Sequence, residues 1–415
     1  MADIAYDSTY AYEGLLTYWG AIPGEEPVLK VEIDLTSTYF INVEDTEFAG
    51  SIAYDTINAY NVALQYSGAV PWTDVTSATR DVTISRGKSN RLYDYFDAGT
   101  ASLQLNDYNS QFLPGNTATY AEVQTMRPIR ISAYWSGTYH RLFRGYIDHW
   151  DIVWRQGEQF ANVRITATDG SKILTKLQTT YQGSPGDSAS TRIGGLLTDS
   201  GWPTTFRDID ATSTTVLVQD SSTSQGLIER IQDVQFAEAG AFFFGGDGKA
   251  TFKNRTNSYP TGATFAVSDS GATTVVPYIQ VDGTIDDGQL YNKITLTEVS
   301  GTPQTVENAV SQQTFGTREL EKDDILVNSS AQTLALANFL LARYKTPGFR
   351  IESFTIDPKV SIFASQMVVL AELLSTATVT RSAPSYSFSL NVFVIGIEHR
   401  ITPEDWNTTY ILDRQ

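Results

Sequence analysis

The chain has no cysteine among its 415 residues, which excludes disulfides, thiolate chemistry and cysteine-ligated zinc. Histidine is nearly as scarce, with His140, His149 and His399 alone, and no pair has the i, i+4 or H-E-x-x-H spacing of a zinc site. His149 and His399 each follow a carboxylate within a predicted strand, where neighbouring side chains point to opposite faces. We therefore predict no metal site and no cofactor.

Basic residues are also few. The chain has 29 Lys and Arg against 47 Asp and Glu, a net charge of −18, and only 18% charged residues. Proteins that grip nucleic acid need cations that displace its counterions. The densest basic run, residues 80–91, is flanked by Asp81 and Asp94. The composition argues against stable DNA binding, although it allows DNA to slide past.

Long apolar runs and leader sequences are missing as well. No run approaches the ~18 consecutive apolar residues of a membrane-spanning helix, so we predict no membrane-spanning segment. The acidic start, Met1-Ala2-Asp3-Ile4, lacks the apolar core of a signal peptide. Together with the absence of cysteine, this favours assembly in a cytoplasm.

Two short motifs resemble ligand-binding loops. Gly87-Lys88-Ser89 resembles the end of a phosphate-binding loop, but Val82 stands where that motif requires its first glycine. Asp247-Gly248 resembles the start of a calcium loop, but the other acidic ligands are missing at the required spacing. We interpret the first motif as structural, with Val82 inside a predicted strand, and we predict a hairpin turn at the second.

No catalytic motif is evident. A nucleophile elbow of the form G-x-S-x-G is absent. Glycoside hydrolysis needs two carboxylates facing each other across a sugar. Asp208 and Asp210 would share one face of a strand, but we interpret them as structural. We predict that the protein is not an enzyme and has no catalytic residues.

Aromatic residues are abundant, with 22 Tyr and 20 Phe, and they favour strands and interfaces. Six of them are concentrated in one segment: Tyr134, Trp135, Tyr139, Tyr146, Trp150 and Trp154. They could form a sugar-stacking platform, as in a receptor-binding module. We favour the alternative, in which they belong to a barrel core and a subunit interface.

Most of the chain alternates polar and apolar residues with the period of a β-strand. In the first half this pattern predicts strands over residues 28–35, 81–85, 101–105, 129–134, 141–153 and 160–167. We interpret residues 28–180 as a first antiparallel β-barrel and residues 1–27 as an N-terminal arm.

Helical periodicity and capping residues set the middle of the chain apart. They predict helices over residues 171–177, 190–199 and 225–238, followed by a hairpin of residues 241–244 and 250–252. We interpret residues 181–284 as a mixed α+β region. Residues 181–190 have the composition of a linker, and residues 299–313 are expected to form a loop.

The clearest helix lies near the end of the chain. Residues 331–344 are rich in Ala and Leu, and Pro347-Gly348 ends the pattern. Strands are predicted around it over residues 291–298, 350–356, 367–370, 386–394 and 407–412. We interpret residues 285–415 as a second β-barrel domain, against which one face of this helix packs. The predicted fold class is mainly β, with two antiparallel barrels flanking the α+β region.

The two β regions share a short local likeness. Gly145-Tyr146-Ile147-Asp148-His149-Trp150 and Ile395-Gly396-Ile397-Glu398-His399-Arg400 each lead into the last strand of their region. The likeness suggests a duplicated barrel placed before and after a central insertion.

Several phrases in a fixed order, between about residue 70 and residue 415, resemble a known family. The main ones are Arg86-Gly87 followed by residues 96–107, Gly201-Trp202-Pro203 with Arg207-Asp208-Ile209-Asp210, residues 247–252 and residues 396–403. The chain resembles the minor tail proteins, or tail-tip (baseplate) hub proteins, of long-tailed bacteriophages. It departs from their pattern in Lys88, where they carry Arg, and in its Tyr-rich start.

The resemblance implies a structural hub at the distal tail tip. Three chains with two tube-type barrels each would match the sixfold tail tube and carry threefold fibres or a spike. The implied partners are two further copies, the tail tube or distal tail protein, the tape measure protein and the tip fibres, with DNA passing through without specific binding. The alternatives are a tip module that binds a host glycan or protein, and a tail-borne cell-wall hydrolase.

Overall fold

The computed structural model describes residues 26–35, 72–88, 95–113, 115, 120, 123–154, 160–211, 215–285, 287–383 and 386–415. Nearly all of the N-terminal arm predicted over residues 1–27, and Ser89 of the glycine motif, lie outside these residues. The described chain is mainly β with several helices, as the sequence predicts. It contains three packed parts, which we call the first β unit, the central unit and the second β unit.

The first β unit contains seven strands, and all six of the predicted strands are present. They are β1 (Val28–Asp34), β2 (Trp72–Asp74), β3 (Thr79–Gly87), β4 (Asp97–Asp107), β5 (Pro128–Trp135), β6 (Thr138–Val153) and β7 (Ala161–Thr168). They pair antiparallel in the order β3-β4-β7-β6-β5-β1-β2. A single 3₁₀ turn, Thr76–Ala78, leads from β2 into β3, and Val75 N donates to Val31 O at 2.9 Å. The end strands of this order, β3 and β2, are thereby brought together.

The central unit begins with short helices and a hairpin. Its first elements are α1 (Ser171–Leu174), β8 (Gln178–Thr179), α2 (Ala189–Asp199), β9 (Arg207–Ile209), β10 (Gln225–Gly226), α3 (Leu227–Glu238), β11 (Ala241–Phe244), β12 (Ala250–Lys253) and α4 (Arg255–Ser258). The predicted helices and the β11–β12 hairpin are present. Ser188 caps α2 by accepting a hydrogen bond from Thr191 N.

The predicted linker 181–190 is a fixed part of this unit. The buried Arg192 Nε lies 3.1 Å from Asp187 Oδ2, and Arg192 Nη2 donates to Ser184 O at 3.0 Å. The composition of residues 181–190 indicated a linker. It could not reveal these contacts, because Arg192 lies on α2, outside the segment.

A second part of the central unit follows two strands of the second β unit, β13 (Phe265–Ser268) and β14 (Gln280–Thr284). It contains β15 (Lys293–Glu298), β16 (Gln304–Glu307), α5 (Ala309–Phe315), β17 (Glu319–Ile325) and α6 (Ser330–Tyr344). The loop predicted over residues 299–313 is wrong, since it contains β16 and α5. Short elements of this kind are stabilised by their neighbours: Asn308 caps α5, and β16 pairs with β15.

Helix α6 matches the helix predicted over residues 331–344. It lies on β15 and β16, and Leu336, Ala337 and Leu340 are buried in the hydrophobic core that also contains α2 and α3. Both strands lie within residues 285–415, which we interpreted as the second barrel, but they form a three-stranded sheet with β17 that is separate from the large sheet. The apolar stripe indicated that one face would be buried, but not which sheet would cover it.

The second β unit is completed by β18 (Arg350–Ile356), α7 (Ile362–Leu370), β19 (Thr376–Ala383), β20 (Tyr386–Ile401) and β21 (Trp406–Arg414). The strand predicted over residues 367–370 is wrong, because this segment ends α7. An uninterrupted apolar run fits a buried helix as well as a buried strand. Ser361 caps the helix by accepting from Ala364 N, and Tyr410 Oη donates to Met367 O at 3.1 Å.

The long strand β20 joins the two β units. Its first half pairs with β19, up to Phe393 opposite Thr376, and from Gly396 onward the chain pairs with β3 of the first unit. Thirteen of the described strands therefore form one sheet, with β14 and β2 at its two ends. We call the two joined β units the β frame.

Two hydrophobic cores fill the described structure. One lies in the β frame, and the other lies in the central unit. Strand β11 runs between them: Ala241 and Phe243 face the core of the β frame, whereas Phe242 and Phe244 face the core of the central unit. This alternation follows from the period of a strand.

Candidate functional site at the junction of the three units

One carboxylate lies where the three units meet. Arg86 is on β3 beside β20, and its Nη1 lies 2.6 Å from Oε1 of Glu372, which follows α7 in the second β unit. The other oxygen, Glu372 Oε2, accepts a hydrogen bond from Gly246 N in the β11–β12 turn at 2.9 Å. Glu372 thus holds a residue of the first β unit with one oxygen and a residue of the central unit with the other.

The β11–β12 turn fits into a slot on the first β unit. A Cβ on Gly246 would lie 2.6 Å from Arg141 O, and one on Gly248, whose φ is +84°, would lie 2.7 Å from Arg144 Cδ. Asp247 accepts from Lys249 N and forms an ion pair with its ammonium at 2.9 Å. The segment is the hairpin turn predicted from sequence, and its glycines allow close approach to β6.

His399 and Asp169 are titratable groups near Arg86. The ring of His399 is buried and lies 2.9 Å from Thr408 Oγ1; burial and the charge of Arg86 lower its pKa to about 3. Burial raises the pKa of Asp169 to about 6, although its carboxylate accepts from Gly99 N at 2.6 Å and Ser171 N at 2.9 Å. His399 is therefore neutral at physiological pH, whereas Asp169 changes its protonation state near pH 6.

The glycine motif at the end of β3 has a structural role. Gly87 has a φ of +101° and faces Gly396 across the β3–β20 pair. Lys88 Nζ lies 5.0 Å from the centre of the Phe96 ring, a cation–π contact. Both described residues of the motif contact the protein itself, in agreement with the structural interpretation.

Asp208 and Asp210 are brought together, as predicted for one face of a strand. Lys253 Nζ lies 2.9 Å from Asp208 Oδ2 and 3.5 Å from Asp210 Oδ1. The second oxygen of Asp210 accepts from Asn254 N and from Asn257 Nδ2, both at 2.8 Å. These contacts fasten β9 and α4 to the end of β12.

The six aromatic residues of the 134–154 segment do not form one platform. Tyr134 and Tyr139 face each other at the β5–β6 hairpin with ring centres 4.9 Å apart. Trp150 donates to Gln124 O, and burial raises the pKa of Tyr146 to about 12. Trp154, at the far end of β6, is 67% exposed. The segment supplies both buried contacts and separate exposed aromatics.

Among the described residues, no group of three or more His, Asp or Glu side chains could hold a metal ion. The helices of the described segments include none that is long and apolar enough to cross a membrane. His140 lies beside Trp135, and His149 is exposed on β6, so the structure does not bring the histidines together.

Sequence reasoning missed Glu372. Arg86 belongs to one of the phrases that carry the family resemblance, but Glu372 stands in no motif and 286 residues away from it. Its role depends on where α7 ends, and α7 was not predicted.

The chain has the fold of bacteriophage tail proteins, which confirms the resemblance seen in the sequence. It is similar to a tail protein from Neisseria meningitidis MC58, with a TM-score of 0.58, 11% identity, and coverage of 83% of this chain and 94% of that chain. It is also similar to the 43 kDa tail protein of prophage MuSo2 from Shewanella oneidensis, with a TM-score of 0.56, 11% identity and coverage of 83% and 96%.

A third similar structure is the Francisella PdpA-VgrG complex in its lidded form. The TM-score is 0.51 at 11% identity, and the match covers 97% of this chain and 55% of that longer chain. By sequence, no protein-family model and no curated protein matches the chain. The likeness is therefore one of fold.

Proposed function

We propose that this protein is the structural hub at the distal tip of a phage tail. Three copies form a ring that joins the sixfold tail tube to threefold tip fibres or a spike and that gates the exit of DNA. One observation carries the proposal: a chain with the fold of phage tail proteins places two β units in one sheet. Three copies would then supply six β units to a sixfold tube.

The pairing of the two β units supports their equivalence. Strands β6 and β20 each have 16 residues, and each forms a hairpin with the strand that follows. The related segments around Ile147 and Ile397 lie within these two strands, and both isoleucines are buried. A duplicated barrel accounts for these shared features.

The charge of the chain suits the passage of DNA. A net charge of −18 favours a neutral or acidic lumen, which repels the phosphate backbone and allows DNA to slide. A continuous basic stripe around the channel of an assembled ring would contradict this part of the proposal. The protein acts without a cofactor, as a non-enzymatic virion component assembled in the host cytoplasm.

The test is the mass and shape of the assembled protein. We expect light scattering to give three chains, or three chains once the distal tail protein is added, and electron microscopy to show a ring. Obligate interfaces bury roughly 2,000 Å² or more. A chain that remains monomeric inside isolated tail tips would overturn the hub.

A receptor-binding role at the tip is the second candidate. It is favoured by the exposure of Trp154, at 67%, and of Tyr134 and Tyr139, at 42% and 43%. Binding on a glycan array that is lost in Trp154→Ala but retained in Tyr108→Ala, a change at another exposed aromatic, would support it. Loss of turbidity on purified cell wall would instead reveal a tail-borne hydrolase.

A further inference from the structure

We propose that the contact of Glu372 with Arg86 and Gly246 is a releasable fastening, here called the latch, that holds the central unit on the β frame. Releasing it lets the central unit shift against the β frame about β11, whose Ala241 and Phe243 stay in the core of the β frame. The inference rests on the contacts within one chain, so it can be tested on the purified protein whether or not the hub proposal holds.

The central unit has what it needs to move as a body. Its core is separate from that of the β frame, and Ile193, Ile231, Phe252 and Leu340 are all buried within it. A unit with its own core can keep its fold when its position changes. The chain enters this unit at α1, directly after Asp169. This passage is the first covalent connection between the β frame and the central unit.

The contacts across the boundary include ion pairs and cation–π contacts as well as apolar ones. The Arg144 guanidinium lies 4.5 Å from the centre of the Phe206 ring, and Arg343 on α6 forms an ion pair of 2.6 Å with Asp413 on β21. Apolar contact is made by Ala241 and Phe243, which are buried in the core of the β frame, and by Met126 and Tyr146, which pack against the core of the central unit. Polar boundaries between units permit relative motion more readily than apolar ones.

Glu372 is suited to this role because its side chain connects the central unit to the β frame and remains accessible to solvent. Its side chain is 40% exposed, whereas that of Arg86 is 4% exposed. A guanidinium or ammonium group of a tail partner can therefore approach the carboxylate from solvent and compete with Arg86. Losing this carboxylate also removes the acceptor of Gly246 N, so the turn loses its fastening at the same moment.

Hydrogen exchange of Glu372→Ala, followed by mass spectrometry, tests the latch. We expect exchange to be about tenfold faster in the β11–β12 turn and also at distant boundary segments, around Phe206 and around Asp413. Amides of β12 and β15, inside the central unit, should keep their wild-type rates. Asp208→Ala is the matched control, because it removes an exposed carboxylate that binds Lys253 within the central unit.

A second variant acts on the same contact without removing charge. Gly246→Ala places a methyl group 2.6 Å from Arg141 O and should push the turn out of its slot, with the same pattern of exchange. Acceleration confined to residues 244–249 in both variants would show that Glu372 fastens only its own turn. Uniform acceleration across both cores would show a general loss of stability, and either result overturns the latch.

Discussion

Gly87 and Gly396 face each other where the two β units join, and Gly87 has no room for a side chain. A Cβ on Gly87 would lie 2.3 Å from Ile395 O and 2.6 Å from Gly396 Cα. The backbones of β3 and β20 therefore approach more closely than any other residue would allow. The contact lies at one end of the β3–β20 pairing, which makes one sheet out of two β units.

Gly87→Ala should separate the two β units. The variant combines the strain of a φ of +101° with a clash against backbone atoms that cannot move aside. We expect a loss of about 3 kcal/mol or more in the free energy of unfolding, measured by urea denaturation.

Gly137→Ala is the control for Gly87→Ala. It has a φ of +84° with nothing within 4 Å of the added Cβ, so it isolates the backbone strain. It should cost only about 1–2 kcal/mol. Equal losses in the two variants would contradict the close approach at Gly87.

Leu340→Ala should destabilise the central unit. The side chain is 1% exposed in its core, and removing it leaves a cavity that costs about 2–5 kcal/mol in unfolding free energy. Leu334→Ala on the same helix is the control, because Leu334 is 39% exposed and should change stability little.

Leu340→Asp should prevent the assembly of tail tips, since it buries a charge in the same place. We expect particles without tips or tails in electron micrographs of infected cells. Normal infectious particles carrying Leu340→Asp would show that the packing of α6 is not needed for the hub.

Deprotonation of Asp169 should lower the free energy of unfolding as the pH rises. Its folded pKa of about 6 lies above the usual 3.8, so the folded state binds the proton more tightly than the unfolded state. The stabilisation by protonation is therefore fully present below about pH 4 and is lost as the pH rises through 6. A shift of this size corresponds to roughly 3 kcal/mol. The difference in unfolding free energy between wild type and Asp169→Asn should change by that order between pH 4 and 7, and a constant difference would refute it.

His399 should have the opposite effect, lowering the free energy of unfolding as the pH falls. Its folded pKa of about 3 lies below the usual 6.5, so the unfolded state takes up the proton first as the pH falls. The neutral ring stabilises the fold above pH 6.5, and this stability is lost progressively toward pH 3. His399→Gln keeps a polar group of similar size without titration near neutrality. Its stability should depend less on pH than that of wild type between pH 6.5 and 4, as measured by urea unfolding at each pH.

The sequence alone determined most strands of the β frame, the long helix and the family resemblance. Period-two alternation predicted β6 from residue 141 onward and the first part of β20, residues 386–394, and the Ala- and Leu-rich run with its Pro-Gly stop predicted α6 within one residue of its observed start. These features are local, because alternation, capping and chain breaking depend on residues only a few positions apart. The same holds for the turn at Asp247-Gly248.

The tertiary structure decided which of these elements meet. That β20 pairs with β3, that α6 covers β15 and β16, and that residues 362–370 form a buried helix all depend on surfaces supplied from distant parts of the chain. An apolar run fits either a strand or a helix until its neighbours cover it on all sides. Glu372 shows this most clearly: its carboxylate gained a role because folding placed it between Arg86 and Gly246, and no pattern within reach of its own position records that placement.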